Sequence, residues 1–439
     1  MTPSLSAGDT AWVLVSASLV MLMVPGLALF YGGLVRQKNA LNTFMMSLGA
    51  LGIVTVQWVL GGYSLAFGPG SSWIGGLAWW GLAGVGAAPN AAYASTIPHL
   101  AFAIFQAMFA AITVALISGA VVERLRFSAY LLFALAWTTF VYDPLAHWVW
   151  GDGGWLRVLG ALDFAGGTVV HVSAGTAALV AAVMLGRRGA ISRGGLVPHN
   201  VPFTLLGAGL LWFGWFGFNA GSALGASPVA VTALVNTHAA AAAALTCWLL
   251  IDLRRTGRTT AVGAATGAIV GLVAITPAAG YVTPRAALVI GVIAAASSYA
   301  AMQLRARTRI DDALDVFACH GVAGIVGALL TGVFATTTVN AAGADGLLAG
   351  HPMQVVVQAL AVVATMALSG SLTAAIIAVV RALMPMRASL GDELTGLDAT
   401  EHGEEAYHSG DIGELAGAPP LGGVILIPSD QEPATANAA

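Results

Sequence analysis

The chain has 439 residues, of which 8% are charged and 58% hydrophobic, with a formal charge of −3. Ordinary soluble domains carry about 25% charged residues, so a water-soluble globule is excluded and an all-α polytopic membrane protein is expected. Charge is also unevenly placed: all 17 basic residues lie at or before Arg387, whereas the ten acids from Asp392 to Glu432 have no Lys or Arg among them.

The N-terminal MTPSLSAGDT lacks the basic region of a secretory signal, so the first apolar run, about 11–33, reads as a retained span. Further runs follow at about 43–67, 99–122, 127–148, 163–185, 201–222, 229–252, 261–281, 286–304, 315–337 and 353–384. Each supplies roughly 20 apolar residues, enough to cross a bilayer. Basic residues test this count of eleven. Arg36 and Lys38, Arg124 and Arg126, Arg187, Arg188 and Arg193, Arg254, Arg255 and Arg258, Arg305, Arg307 and Arg309, and Arg381 and Arg387 all fall on one side. Only Arg157 and Arg285 fall on the other. The positive-inside rule then puts the N-terminus outside and the acidic tail inside. The segment 71–88 is apolar enough for a short span, but counting it would split the basic loops between both sides. It reads as an external loop with Trp73, Trp79 and Trp80 at headgroup level. Cys247 and Cys319 fall in apolar segments and read as free thiols.

An odd number of spans per half forces the halves into opposite orientations. The expected architecture is an inverted five-plus-five repeat, about 11–185 and 201–337, with an extra helix at about 353–384. The transmembrane domain is 1–387 and the acidic cytoplasmic tail 388–439, with a disordered composition after about 408.

Two segments echo each other across the halves. DFAGGTVVHVSAGTAALVAAVM (163–184) and DVFACHGVAGIVGALL (315–330) both contain H-x-x-A-G. His171 shares a helix face with Gly167, Ala174 and Ala178, and His320 with Gly324 and Gly327. Ionisable groups inside a membrane are costly and are functional candidates by default. Two neutral imidazoles that meet can share a proton and offer hydrogen bonds to a small polar solute; alternatively, each is a structural histidine bonded to a carbonyl. Asp163 reads as a helix cap whose fixed anion favours a cation above it. Phe102, Phe105 and Phe109 share a face of span three beside Gln106. Trp148 and Trp150 end span four, and Phe218 and Ser222 lie one turn apart near the outer end of span six. Aromatic faces attract compact cations, and a hydroxyl accepts a hydrogen bond from one, although aromatic stripes also serve packing and interfacial belts.

At these residues a family becomes recognisable. PGLALFYGGLVRQKN (25–39), ERLRFSAYLLFALAW (123–137), GALDFAGGTVVHVSAG (160–175), GWFGFNAGSA (214–223), ITPAAGYV (275–282) and DVFACHGVAGIVGALLTGVFA (315–335) resemble the ammonium transporter branch of the ammonium transporter/Rhesus family. The resemblance runs from about residue 10 to 408 and implies eleven helices, a homotrimer and one conduction path per subunit. It makes Phe109, Trp150 and Ser222 an outer ammonium-recruitment site, Phe105 and Phe218 a stacked gate beneath it, Asp163 a supporting acid, and His171 and His320 a twin-histidine pair lining the pore. Gln106 and Thr276 become pore-lining candidates. The departures are Ala107-Met108 in place of a Gly-Ser pair, Asp152 and His99 as added titratable groups near the mouth, and Cys319 before His320. The resemblance extends through GLDATEHGEEAY (396–407) and implies a PII-type signalling protein as partner at the tail.

The function expected is uptake of ammonium across the cell membrane by recruitment, deprotonation and conduction of ammonia, with or without its proton. A membrane sensor signalling through the tail and an ion-coupled solute transporter are the rival classes. No nucleophile–base set, metal-ligand cluster or cofactor motif stands out, so an enzyme is not expected, nor is a nucleic-acid partner.

Overall fold

A computed structural model describes residues 4–189 and 197–407; the expectations for Arg193 and for the tail from residue 408 lie outside these. Helix starts follow local chemistry. Ser227, Thr260 and Thr283 each accept, through the side-chain hydroxyl, the main-chain N–H three residues on, and Pro228 and Pro284 occupy first helical positions.

Ten helices among the described residues are long and apolar enough to cross a membrane. In chain order these are α1 Ala7–Leu34, α2 Gln37–Phe67, α3 His99–Val121, α4 Phe127–Leu159, α5 Gly167–Leu185, α6 Val201–Gly221, α7 Pro228–Thr256, α9 Pro284–Arg305, α10 Phe317–Phe334 and α11 Met353–Leu383. Between α7 and α9 lies a shorter apolar helix, α8 Ala261–Ile275. No β-strand occurs among the described residues, only isolated bridges. Apolar side chains such as Leu250, Leu288 and Val363 are exposed on α7, α9 and α11. So large an apolar exterior around helices belongs in lipid, where backbone groups must be satisfied within the segment: this is a multi-pass membrane protein.

Glycines set the closest helix contacts. A Cβ at Gly207 of α6 would strike the backbone of Phe30, and one at Gly214 would meet Met23, so α1 and α6 lie backbone to backbone. A Cβ at Gly175 of α5 would strike the backbone of Gly321 on α10, and one at Gly324 would come within 3.1 Å of the His171 Cβ. The small face expected around the two histidines is therefore where α5 and α10 cross.

The stretch between α2 and α3 holds only one turn of 3-10 helix, Trp80–Leu82. Trp73 and Trp80 are exposed there. Trp79 is not at the surface with them: it is half-buried, stacked on Tyr63 with ring centroids 5.5 Å apart. His99 is also drawn inward, its Nε2 2.5 Å from the Tyr63 hydroxyl, and does not line the open vestibule described below.

The opposite end of the bundle is held by charge. Arg188 is buried and bridges Glu123 at 2.7 Å and Asp311 at 2.6 Å, while Arg36 meets Glu123 at 2.9 Å. The first part of the acidic segment docks here. Asp398 accepts the N–H groups of Leu41 and Asn42 at 3.0 and 2.7 Å, Glu401 pairs with Arg126 at 3.3 Å, and Glu393 with Arg387 at 2.7 Å.

Candidate functional site

Three cavities follow one another through the bundle. The first is an open vestibule of about 540 Å³ lined by Gln106, Phe109, Trp150, Asp163 and Ser222, among others. Below it Phe109 lies face to face with Phe218, centroids 4.2 Å apart and planes 20° from parallel. The next space is only about 10 Å³, walled by Phe218, Trp215, His171, His320, Leu27 and Ile112. That is room for about one water molecule. A third cavity of about 150 Å³ begins at His320 and continues past Cys319, Asp315 and Tyr31.

Each wall has a local cause. Asp163 lies in a turn completed by Gly166 at φ 111°, a conformation that favours glycine. Its carboxylate accepts the N–H groups of Gly166, Gly167, Thr168 and Val169 at 2.6–3.1 Å and the Thr168 hydroxyl. It therefore satisfies the free amides at the start of α5. The helix begins at Gly167 rather than at Asp163 itself, because the acid caps it from the preceding loop. The main-chain carbonyl of Asp163 accepts the Trp150 indole N–H at 2.8 Å, which fixes the Trp150 ring edge-on to Phe109, centroids 6.1 Å apart. The Ser222 hydroxyl donates to the Phe218 carbonyl at 2.8 Å, leaving its own oxygen free to accept. Gln106 Oε1 is buried without a partner among the described residues.

His171 and His320 meet: their Nδ1 atoms are 3.3 Å apart. Each sits in a π-helical turn, Gly167–Val172 and Phe317–Val322, a widening that single-turn insertions give a helix, frequently at functional sites. One Nδ1 must donate and the other accept, so for a neutral pair the two Nε2 atoms are one acceptor and one donor. That of His171 is buried and unpartnered among the described residues.

Two expectations need correction. The ring stacked on Phe218 is Phe109, not Phe105; Phe105 meets Phe109 edge-on, centroids 4.9 Å apart, and is fully buried outside the vestibule lining. Four residues on a helix advance slightly more than a turn, and that offset puts only Phe109 over Phe218. Thr276 does not line the path either. It donates to the Leu272 carbonyl at 2.8 Å and accepts the Trp215 indole N–H at 2.9 Å, so it orients Trp215 from behind. Trp215 was not anticipated. Its ring lies nearly parallel to His171, 24° between planes, and it lines the narrow space; its place three residues before Phe218 on one helix face was the available signal. No group of three or more His, Cys, Asp or Glu among the described residues is arranged to hold a metal.

This chain is similar to proteins of known kind. Residues 11–407 match the model of the Ammonium Transporter Family. An ammonium transporter of Bacillus subtilis is 52% identical over 403 residues, covering 91% of this chain and 98% of that protein. Ammonium transporter Amt1 of Archaeoglobus fulgidus is 45% identical, covering 92% of this chain and all of that one. Among solved structures, Saccharomyces cerevisiae Mep2 superposes with a TM-score of 0.82 at 39% identity, covering 88% of each chain, and a structure described as Sensor Amt Protein with 0.83 at 30% identity, covering 90% of this chain and 98% of that one. The chain belongs to the ammonium transporter family.

Proposed function

We propose that this protein moves ammonium into the cell across the plasma membrane, recruiting the ion in the outer vestibule and passing ammonia through the histidine-lined constriction. The observation that carries this reading is the paired imidazoles, 3.3 Å apart, in an apolar space of about 10 Å³ directly below an aromatic stack. Phe109 and Trp150 offer ring faces to a cation, and Ser222 Oγ and Gln106 Oε1 offer acceptors to its N–H groups. Potassium has the charge but no N–H to donate. An intact ion entering the constriction would incur a desolvation cost of several kcal/mol, so ammonium releases a proton above Phe109 and Phe218. Ammonia then meets one Nε2 donor and one Nε2 acceptor, which replace hydrogen bonds that cost roughly 4–8 kcal/mol to lose in hydrocarbon. The proton either returns outside or follows along the two imidazoles.

The proposed frame is eleven spans, counting α8, with the N-terminus outside and the C-terminus inside. The halves form an inverted repeat, supported by α1 lying along α6 and α5 crossing α10, first on first and fifth on fifth. A homotrimer and a PII-type partner at the docked acidic segment complete the proposal. The test is the transient current evoked by an ammonium pulse on proteoliposomes, with potassium as control. An ammonium-specific current supports transport of the ion's charge. Lumenal alkalinisation without current supports conduction of ammonia alone. Neither signal from folded protein would overturn transport and favour a sensor, the second reading, to which the likeness to Sensor Amt Protein points.

A further inference from the structure

The vestibule carries one cationic side chain in its lining, Arg157, an odd residue for a mouth that gathers cations. Its guanidinium donates from one terminal nitrogen to the Trp150 carbonyl at 2.9 Å and from the other to the Ala92 carbonyl at 3.4 Å. No carboxylate pairs with it within ion-pair distance among the described residues. Asp163, the acid in the same lining, is spent on the amides at the start of α5. Asp152 is exposed nearby, its main-chain N–H bonded to the Tyr93 hydroxyl at 3.1 Å, but it does not line the vestibule. The positive charge of Arg157 therefore bears on the chamber directly, and its hydrogen bond holds the main chain of the residue whose ring meets Phe109 edge-on.

We infer that Arg157 sets the concentration range of ammonium capture, its charge opposing cation entry while its hydrogen bond to Trp150 keeps the recruitment ring in place. This rests on the proposed transport function. A unit charge roughly 10 Å away in a water-filled mouth changes local cation occupancy by about twofold at low ionic strength, and the effect fades once the Debye length falls below that distance. Geometry and charge thus predict different behaviour.

The experiment measures ammonium-evoked current or alkalinisation in proteoliposomes as a function of ammonium concentration, at low and high N-methylglucamine chloride, for wild type, Arg157→Gln and Arg157→Lys. The expected result is that R157Q lowers the half-saturating concentration about twofold at low salt, that this difference closes at high salt, and that R157K stays with wild type throughout. Glutamine is too short to keep the hydrogen bond to the Trp150 carbonyl, so a change in maximal flux reports on the ring's position, while the salt-dependent part of the half-saturating concentration reports on the charge. If R157Q equals wild type at low salt, or if R157Q and R157K shift alike and salt does not close the gap, the charge role is overturned. Absence of any ammonium signal in wild type overturns the transport reading and this inference with it, and is recognised before any variant is compared.

Discussion

Asp163 and Asp312 stand in the same relation to the two paired histidines. Asp163 precedes His171 by eight residues and Asp312 precedes His320 by eight. Asp312 accepts the N–H groups of Val316 and Phe317 at 3.0 and 2.8 Å, so each acid caps the helix that carries its histidine. Replacing either with Asn puts an NH2 group against amide donors and leaves at least one of them unpaired. Each variant should lose roughly 1–3 kcal/mol of stability, read as a lower unfolding midpoint in detergent. Asp163→Asn should also lose most ammonium flux, because the same turn holds Trp150.

The imidazole pair yields a sharper expectation. His171→Ala leaves His320 Nδ1 without its partner and opens volume in a space of about 10 Å³. Ammonium flux should fall or potassium should begin to compete, and His320→Ala should do the same. Currents with mixed ammonium and potassium check this; unchanged flux and selectivity in both variants would reject the pore role.

Phe105 and Phe109 can be separated by flux and stability. Phe109→Ala removes the ring stacked on Phe218 and half of the floor of the vestibule. It should alter selectivity and lower apparent ammonium affinity. Phe105 is buried outside that lining, so Phe105→Ala should act mainly through a cavity, costing about 3–5 kcal/mol. Thermal unfolding and concentration-dependent currents measured on both variants distinguish the two roles.

The helical frame could be read from the sequence because membrane physics writes it in long apolar runs punctuated by arginines. The meeting of α5 and α10 was legible in the H-x-x-A-G echo, since Gly175, Gly321 and Gly324 are where the backbones touch. What escaped was rotation. The phenylalanines of α3 share a face at the level of spacing, yet only the side-chain direction decides that Phe109 covers Phe218. Thr276 looked like a polar lining residue, but its hydroxyl is spent on Leu272 and Trp215. Asp315 opens the later apolar segment, but it is not the equivalent of Asp163. The actual counterpart, Asp312, lies outside the run, and only counting back from each histidine reveals it.

The charge knot at the basic end supplies a pH expectation with a definite sign. Burial raises the Asp311 carboxyl, but hydrogen bonds and charge from Arg188 outweigh that and hold it at about 2, below the ordinary 3.8. Burial likewise opposes ionisation of Glu123, and Arg188 and Arg36 hold it below its usual value. A folded-state pKa below the unfolded one gives stability that is complete above the unfolded value and lost as pH falls through the folded value. Asp312, which burial pushes up to about 6, acts oppositely and favours the folded state as pH falls towards the unfolded value of 3.8. The acid loss from this knot should therefore appear from roughly pH 4 down to 2. Arg188→Ala leaves Asp311 and Glu123 buried with fewer partners, at a cost of about 3–5 kcal/mol near neutrality. Their folded pKa values should then rise above the unfolded ones, so mild acid should stabilise the variant by more than Asp312 alone supplies in wild type. Unfolding midpoints in detergent from pH 7 to 3 check the reversal, and parallel acid limbs for wild type and variant would show that the knot is not the group titrating.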